Sequence, residues 1–274
     1  MIDTNKKLLF NSSMPRSGSE LLQVILHQNP RIYGSPTSPL LEYQFGARTN
    51  YDLPEVKSQN PQLMYDAFLS VCRGIADSYY STITDRPVVI DKNRGWAHYY
   101  EWVEQWNPNP KMICMVRDLR SVLASMERIY RQNRHNPQGI DDPVKIANMT
   151  VEQRLNYWLN TQPVGLALQR TMDIFQRGLG EKVLFVRFED LLNDPQSTMD
   201  RIYGFIEEEP FKHDFDNITK QVEEDDSHFG IFGRHSVKPK IEPASAAPWS
   251  DILTQELAEA VRKGNQWFFN TFNY

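Results

Sequence analysis

The chain has 274 residues, 40% of them hydrophobic, 12% aromatic and 24% charged, a globular composition that excludes disordered, collagen-like and coiled-coil classes. Thirty Lys plus Arg against thirty-five Asp plus Glu leave a net charge of −5, so no overall positive field draws the protein to nucleic acid and a polyanion has to be met by a local pocket. Two cysteines, Cys72 and Cys114, are too few for a disulfide framework or a cysteine zinc site.

The first apolar run, residues 8–10, is too short for a signal core or a membrane span, which predicts a cytoplasmic protein with no spanning segment. Further strand-length apolar runs follow at 88–90, 112–116 and 183–186. Helical stripes separate them: Leu21, Leu22, Ile25 and Leu26; then Leu63, Phe68, Val71, Ile75 and Tyr79. After the third run come Val122, Met126 and Ile129, and before the fourth Leu155, Leu159, Leu166 and Leu168. Strands joined through helices require right-handed parallel crossovers, so the chain is expected to form one α/β domain over residues 1–274. Its architecture is a three-layer sandwich with a central parallel sheet and helices on both faces. Asn29-Pro30, Asp85-Arg86-Pro87, Asn107-Pro108-Asn109-Pro110 and Gly178-Leu179-Gly180 punctuate the pattern. Residues 207–249 lack periodicity and hold Pro210, Gly230, Gly233, Pro239, Pro243 and Pro248, which reads as a long functional loop before a last helix near Ser250.

Ligands of open parallel sheets bind beyond the carboxyl ends of the strands. After the first run stands Ser12-Ser13-Met14-Pro15-Arg16-Ser17-Gly18-Ser19, a small-residue turn opening a helix. Its free amides, hydroxyls and Arg16 suit a phosphate-like anion. The second run ends in Asp91-Lys92-Asn93-Arg94, which sets a cation near the same place. The third ends in Arg117-Asp118-Leu119-Arg120, and Ser125 follows two helical turns later, able to converge with Arg117 on one more anionic group.

Pro15-Arg16-Ser17-Gly18-Ser19 followed by Arg117-Asp118-x-Arg120-x-x-x-x-Ser125 resembles the sulfotransferases that use 3′-phosphoadenosine 5′-phosphosulfate (PAPS), in their bacterial and tyrosylprotein-like branch. Phe188-Glu189-Asp190-Leu191-Leu192-x-x-Pro195 is similar to that family's Tyr-Glu-Asp-Leu segment. The resemblance implies a P-loop-NTPase-like fold and the transfer of a sulfuryl group to a hydroxyl, or an amine, of a small-molecule, peptide or carbohydrate acceptor. It implies that Arg16, Ser17, Gly18 and Ser19 bind the 5′-phosphosulfate and that Arg117 and Ser125 hold the 3′-phosphate. Lys92 approaches the transferring group together with Arg16, and the protein's own cations suffice without a metal. The family's late glycine-rich motif is absent in its usual form. The basic stretch 233–239, with Arg234 and Lys238, is expected to replace it as a lid over the nucleotide.

The family's usual bases are missing. Arg94 stands where cytosolic members have a His, and Gly34-Ser35-Pro36-Thr37-Ser38-Pro39 stands where other members have a Glu. Glu42 is the first candidate for the base, His98 the second and Asp91 the third. Glu20 lies against the expected phosphosulfate site and would repel it unless its side chain turns away. Tyr33, Tyr43, Phe45, Trp96, Tyr99 and Tyr100 are candidates for an acceptor wall. A P-loop kinase is the first rival, with Asp91 or Asp118 as the magnesium-holding carboxylate, but Gly-x-x-x-x-Gly-Lys-Ser/Thr is absent. A nucleotide-binding module without turnover is the second.

Overall fold

The computed structural model describes residues 6–136, 138–233 and 237–274. Five strands, β1 (Lys7–Asn11), β2 (Ile32–Thr37), β3 (Val88–Lys92), β4 (Met112–Val116) and β5 (Val183–Arg187), form one sheet in the order β2-β3-β1-β4-β5. All neighbouring pairs are parallel. Successive strand residues face opposite sides, and their burial follows: Leu8, Phe10, Val89, Met112 and Cys114 enter one apolar cluster, whereas Leu9, Val88, Ile90, Ile113 and Met115 enter the other. The second cluster is closed by the helices Ser19–His27 and Pro195–Ile206. The first lies under Pro61–Ile83, Tyr100–Trp106, Leu119–Asn133, Val151–Asn160, Val164–Gln176 and the two C-terminal helices. These are the three layers expected from the sequence.

Four apolar runs account for four strands, and β2 is the addition. Gly34-Ser35-Pro36-Thr37, which lies outside the four apolar runs, belongs to this strand. An edge strand tolerates Pro because one side needs no ladder donor, and the register shifts between Gly34 and Thr37. Glycine is required at 34 because a Cβ there would stand 2.5 Å from the Gln23 carbonyl oxygen. Gln23 in turn donates from Nε2 to the carbonyls of Ser35 at 3.0 Å and Ile90 at 2.8 Å, fastening the first helix to β2 and β3.

Among the described residues of 207–249 the only helical elements are two short 3₁₀ turns, Asp226–Phe229 and Ile231–Gly233, yet the segment packs on the core through Ile218 and Ile231. It doubles back on itself, with Ile218 N donating to Pro239 O at 2.7 Å and Ile241 N to Phe215 O at 2.9 Å. The helix expected near Ser250 begins instead at Gln255, where Thr254 caps the Leu257 amide. Among the described residues no helix is long and apolar enough to cross a membrane.

The start of this segment is tied to the end of the first helix by His213. Its Nε2 meets the Tyr203 hydroxyl at 3.1 Å and its Nδ1 meets Gln28 Oε1 at 3.3 Å. Burial lowers the His213 pKa to about 4, so the fold takes up the neutral ring. A depressed histidine contributes stability that is complete above the unfolded value of about 6.5 and is lost as pH falls toward the folded value. Denaturant titrations of wild type and His213→Gln at pH 7 and pH 4.5 should show a stability loss on the order of 3 kcal/mol from this group in the wild type alone; equal losses in both proteins would refute the assignment.

Candidate functional site

The turn after β1 is held from inside by its own hydroxyls. Ser13 Oγ donates to Asn11 Oδ1 and accepts from Met115 N at 3.0 Å; Ser12 Oγ donates to Arg94 O at 3.1 Å and accepts from Ala97 N at 3.0 Å. Ser17 Oγ donates to Met14 O at 2.6 Å and is fully buried. These three serines shape the turn; Ser13 also borders one cavity, and Ser19 borders two. Two left-handed residues, Arg16 at φ 58° and Gly18 at φ 86°, bend the chain into the helix Ser19–His27, whose start no side chain caps. A helix start without a side-chain cap, with the helix dipole behind it, favours an anion.

Gly18 is required twice over. Besides its left-handed φ, a Cβ would come within 2.3 Å of the Phe188 ring. The same ring carries the Arg117 guanidinium 4.7 Å from its centroid, and Arg117 donates to the Arg16 carbonyl at 3.0 Å. Arg117 Nε is buried with no hydrogen-bond partner among the described residues. Arg16 Nε approaches Ser125 Oγ at 3.3 Å and its Nη1 approaches Phe232 O at 3.4 Å. The expected Arg117–Ser125 fork is therefore a chain of three, in which Arg16 stands between them. Burial, then the neighbouring Arg117 and Arg94, lower the Arg16 pKa to about 10 against the opposing Asp226. Bringing guanidinium groups this close is costly without an anion between them.

Glu20 does not turn away but is answered by two lysines. Its carboxylate is buried and pairs through Oε2 with Lys92 Nζ and through Oε1 with Lys220 Nζ at 3.3 Å. Lys220 also meets Glu224 at 3.3 Å, and Glu224 accepts from the Thr37 amide at 3.0 Å. Lys92, itself 6% exposed, is thus held in a network rather than left as a free charge.

Two cavities meet at Ser19. One, of about 480 Å³, is bordered by Arg16, Glu20, Arg117, Phe188, Lys238 and Lys240, among others. Lys238 pairs with Glu242 at 2.5 Å and Lys240 with Asp216 at 2.6 Å on its rim. Arg234 lies outside the described residues. The other cavity, of about 400 Å³, is bordered by Lys92, Asn93, Arg94, Asp141, Trp158 and Phe232, with Tyr157 and Phe229 beside them. The Lys92–Glu20 pair straddles the partition, its lysine facing one cavity and its glutamate the other. The walls are braced by Glu127, fully buried on the helix Leu119–Asn133, which accepts from Arg154 at 2.8 and 2.6 Å. That pair joins the helix carrying Ser125 to the one carrying Tyr157 and Trp158.

The base candidates are dispersed. Glu42 is exposed and accepts from Asn93 Nδ2 at 3.1 Å, one residue behind the cavity wall. His98 Nδ1 pairs with Asp173 at 3.0 Å and borders neither cavity. Asp91 is wholly buried and accepts from the Tyr80 hydroxyl and from Trp96 Nε1 at 2.6 Å. Burial raises its pKa, and this structural role also removes it as a magnesium-holding carboxylate. Asp118 is likewise occupied, capping the Arg120 amide at 2.8 Å and binding its guanidinium at 2.5 Å. Of the aromatic residues expected around an acceptor, Tyr33, Trp96 and Tyr100 are buried in the core, Phe45 and Tyr99 pack against it, and Tyr43 is exposed; none of the six borders either cavity. Tyr157, Trp158, Phe229 and Phe232 take that place. Sequence reasoning also missed Asp141 and Lys220. The only local signal was the pair of aromatics at 157–158 on a helical stripe.

The profile of the sulfotransferase family matches residues 9–213. A protein of Caenorhabditis briggsae bearing the name "Putative protein-tyrosine sulfotransferase" is 24% identical over 263 residues, 93% of this chain and 85% of that protein. Among solved structures, the sulfotransferase domain of the Synechococcus PCC 7002 olefin synthase superposes with a TM-score of 0.52 at 22% identity, covering 94% of this chain and 95% of that one. A mouse sulfotransferase complexed with PAP (3′-phosphoadenosine 5′-phosphate) superposes with a TM-score of 0.50 at 14% identity, over 94% and 82% of the two chains. These two likenesses concern the fold. With three quarters of its length matched by the family profile, the chain belongs to the sulfotransferase family.

Proposed function

We propose that residues 1–274 act as one sulfotransferase domain that takes PAPS in the larger cavity and an acceptor hydroxyl, or amine, in the smaller. The observation that carries this reading is the shared border at Ser19: two cavities open on one uncapped helix start, with clustered arginines on one side and Lys92 on the other. The donor fits the residues present. Arg117 Nε is buried and unpartnered among the described residues, and a guanidinium of that kind suits a phosphate oxygen. The PAP complex of the mouse relative supports the same choice of nucleotide.

When bound, PAPS supplies the sulfuryl group: the acceptor oxygen bonds to sulfur, the bond from sulfur to the 5′-phosphate oxygen breaks, and PAP departs. The chain's part is to hold charge and take a proton. Ser17, Gly18 and Ser19 present main-chain amides to the 5′ end, with Arg16 beside them, while Arg117 and Ser125 take the 3′-phosphate. Lys238 serves the nucleotide from the segment beyond 233, and Arg234 is assigned to the same work. Lys92 and Arg16 stabilise the negative charge that grows on the leaving oxygen. The acceptor's proton goes to Glu42, which Asn93 joins to the cavity. Asp141 offers a second reading, because it borders that cavity directly.

Calorimetry should show PAP binding more tightly than adenosine 5′-phosphate, and Arg117→Ala should remove about 1.5–3 kcal/mol of that preference; an undiminished preference would place the 3′-phosphate elsewhere. In single-turnover assays Lys92→Ala should slow transfer about 100-fold while PAP affinity changes much less. An unchanged rate would confine Lys92 to positioning the donor. For the proton, Glu42→Gln is expected to abolish the acidic limb of the pH–rate profile, with His98→Ala leaving it intact. Loss of that limb in Asp141→Asn alone would move the role to Asp141.

A further inference from the structure

Arg94 is the cation of this site that the donor does not explain. Its main chain is fixed, since its carbonyl accepts from Ser12 Oγ at 3.1 Å and from Arg170 Nη1 at 3.5 Å. Its side chain makes no hydrogen bond or ion pair among the described residues. The other cations around the two cavities are engaged: Lys92 with Glu20, Arg16 with Ser125, Arg117 with the Arg16 carbonyl, Lys238 with Glu242 and Lys240 with Asp216. Arg94 is exposed where it borders the smaller cavity, and desolvation by its neighbours, followed by the like charge of Arg170, lowers its pKa. Arg16 lies close enough for the two guanidiniums to act on each other. Asp141 borders the same cavity but forms no ion pair with Arg94. An unpartnered cation at a cavity's edge beside two others is a site of positive potential that an anion relieves.

Position decides which anion. Arg16 and Arg117 border the larger cavity, whereas Arg94 borders the smaller, together with Ile140, Ile146, Tyr157, Trp158 and Phe232. At about 400 Å³ this space suits one small molecule, with polar side chains including Asn93, Arg94 and Gln162 and an apolar wall of Ile140, Ile146, Trp158 and Phe232 in about equal share. Planar guanidinium matches carboxylate in a two-point hydrogen-bonded fork.

We infer that the acceptor is a small hydroxy acid with an apolar body: Arg94 binds its carboxylate, the aromatic wall holds the body, and the hydroxyl is directed to Lys92 and Ser19. This rests on the reading of the smaller cavity as the acceptor's. It assigns Arg94 the selection of substrate in a position where, by resemblance, other members carry a proton acceptor.

The test compares matched probes by calorimetry on the full chain, with and without saturating PAP: 3-(4-hydroxyphenyl)propanoate against 4-propylphenol, and 8-hydroxyoctanoate against 1-octanol. At least one acid should bind wild type about tenfold or more tighter than its neutral mate. Arg94→Ala should erase that difference, Arg94→Lys should restore part of it, and PAP affinity should be unchanged in both variants. Equal binding of acid and neutral probe in both pairs, a preference that survives Arg94→Ala, or no saturable binding of either acid would overturn the inference. So would a loss of PAP affinity in Arg94→Ala, which would hand the residue to the donor. Failure of the sulfotransfer reading is separately visible as absence of PAP binding to wild type, while the acid preference is still measured on nucleotide-free protein.

Discussion

The face of the Phe188 ring lies where a side chain on residue 18 would have to go. That single close approach sets the position of three things that are far apart in sequence. The turn after β1 is pressed against the residue that follows β5, and the ring between them becomes the platform on which Arg117 from the end of β4 rests. An aromatic face under a guanidinium contributes of order 1 kcal/mol and, more to the point, fixes its orientation. The segment carrying Phe188 is itself braced, because Glu189 accepts from the Tyr274 hydroxyl at 2.7 Å and Arg187 stacks on the Tyr274 ring at 4.4 Å. An alanine at 18 would both strain the left-handed backbone and displace this ring, so the arginine cluster depends on the one residue that brings no atoms.

Charge is the second organising constraint. The cleft gathers Arg16, Lys92, Arg94 and Arg117 in a protein whose net charge is negative, and such a concentration is unstable unless some of it is answered internally. Glu20 answers Lys92 and Lys220 together. A carboxylate at the head of the helix Ser19–His27 looks like an obstacle to an anion on paper. In three dimensions it is the counter-ion of a buried lysine beside the helix start, where a buried charge without a partner is costly.

Four strands were readable because each runs as uninterrupted apolar residues: β1, β3 and β4 as central strands covered on both faces, and β5, at the edge, through Val183–Val186. β2 escaped because it is an edge strand whose second half is Gly34, Ser35 and Pro36, residues chosen for close approach to Gln23 rather than for apolar burial. The arginines and Ser19 were readable for a related reason: they sit within a few residues of strand ends, so local order alone places them. Partners contributed from afar were not. Lys220 reaches Glu20 across 200 positions of chain, and Phe232 comes from a segment without periodicity. Aromatic content misled for the opposite reason, since Trp96 beside a strand end is as consistent with a core as with a cleft, and its indole went to the buried Asp91.

The segment beyond the last helix of the sheet layer borders both cavities: Phe229, Phe232 and Gly233 on the smaller, Val237 through Pro243 and on to Pro248 on the larger. One piece of backbone, pinned to the core at Ile218 and Ile231 and threaded with prolines, therefore serves as a common wall. Two chambers that share a wall do not open independently. A substitution in the described parts of that wall, 229–233 or 237–248, therefore reshapes both spaces at once.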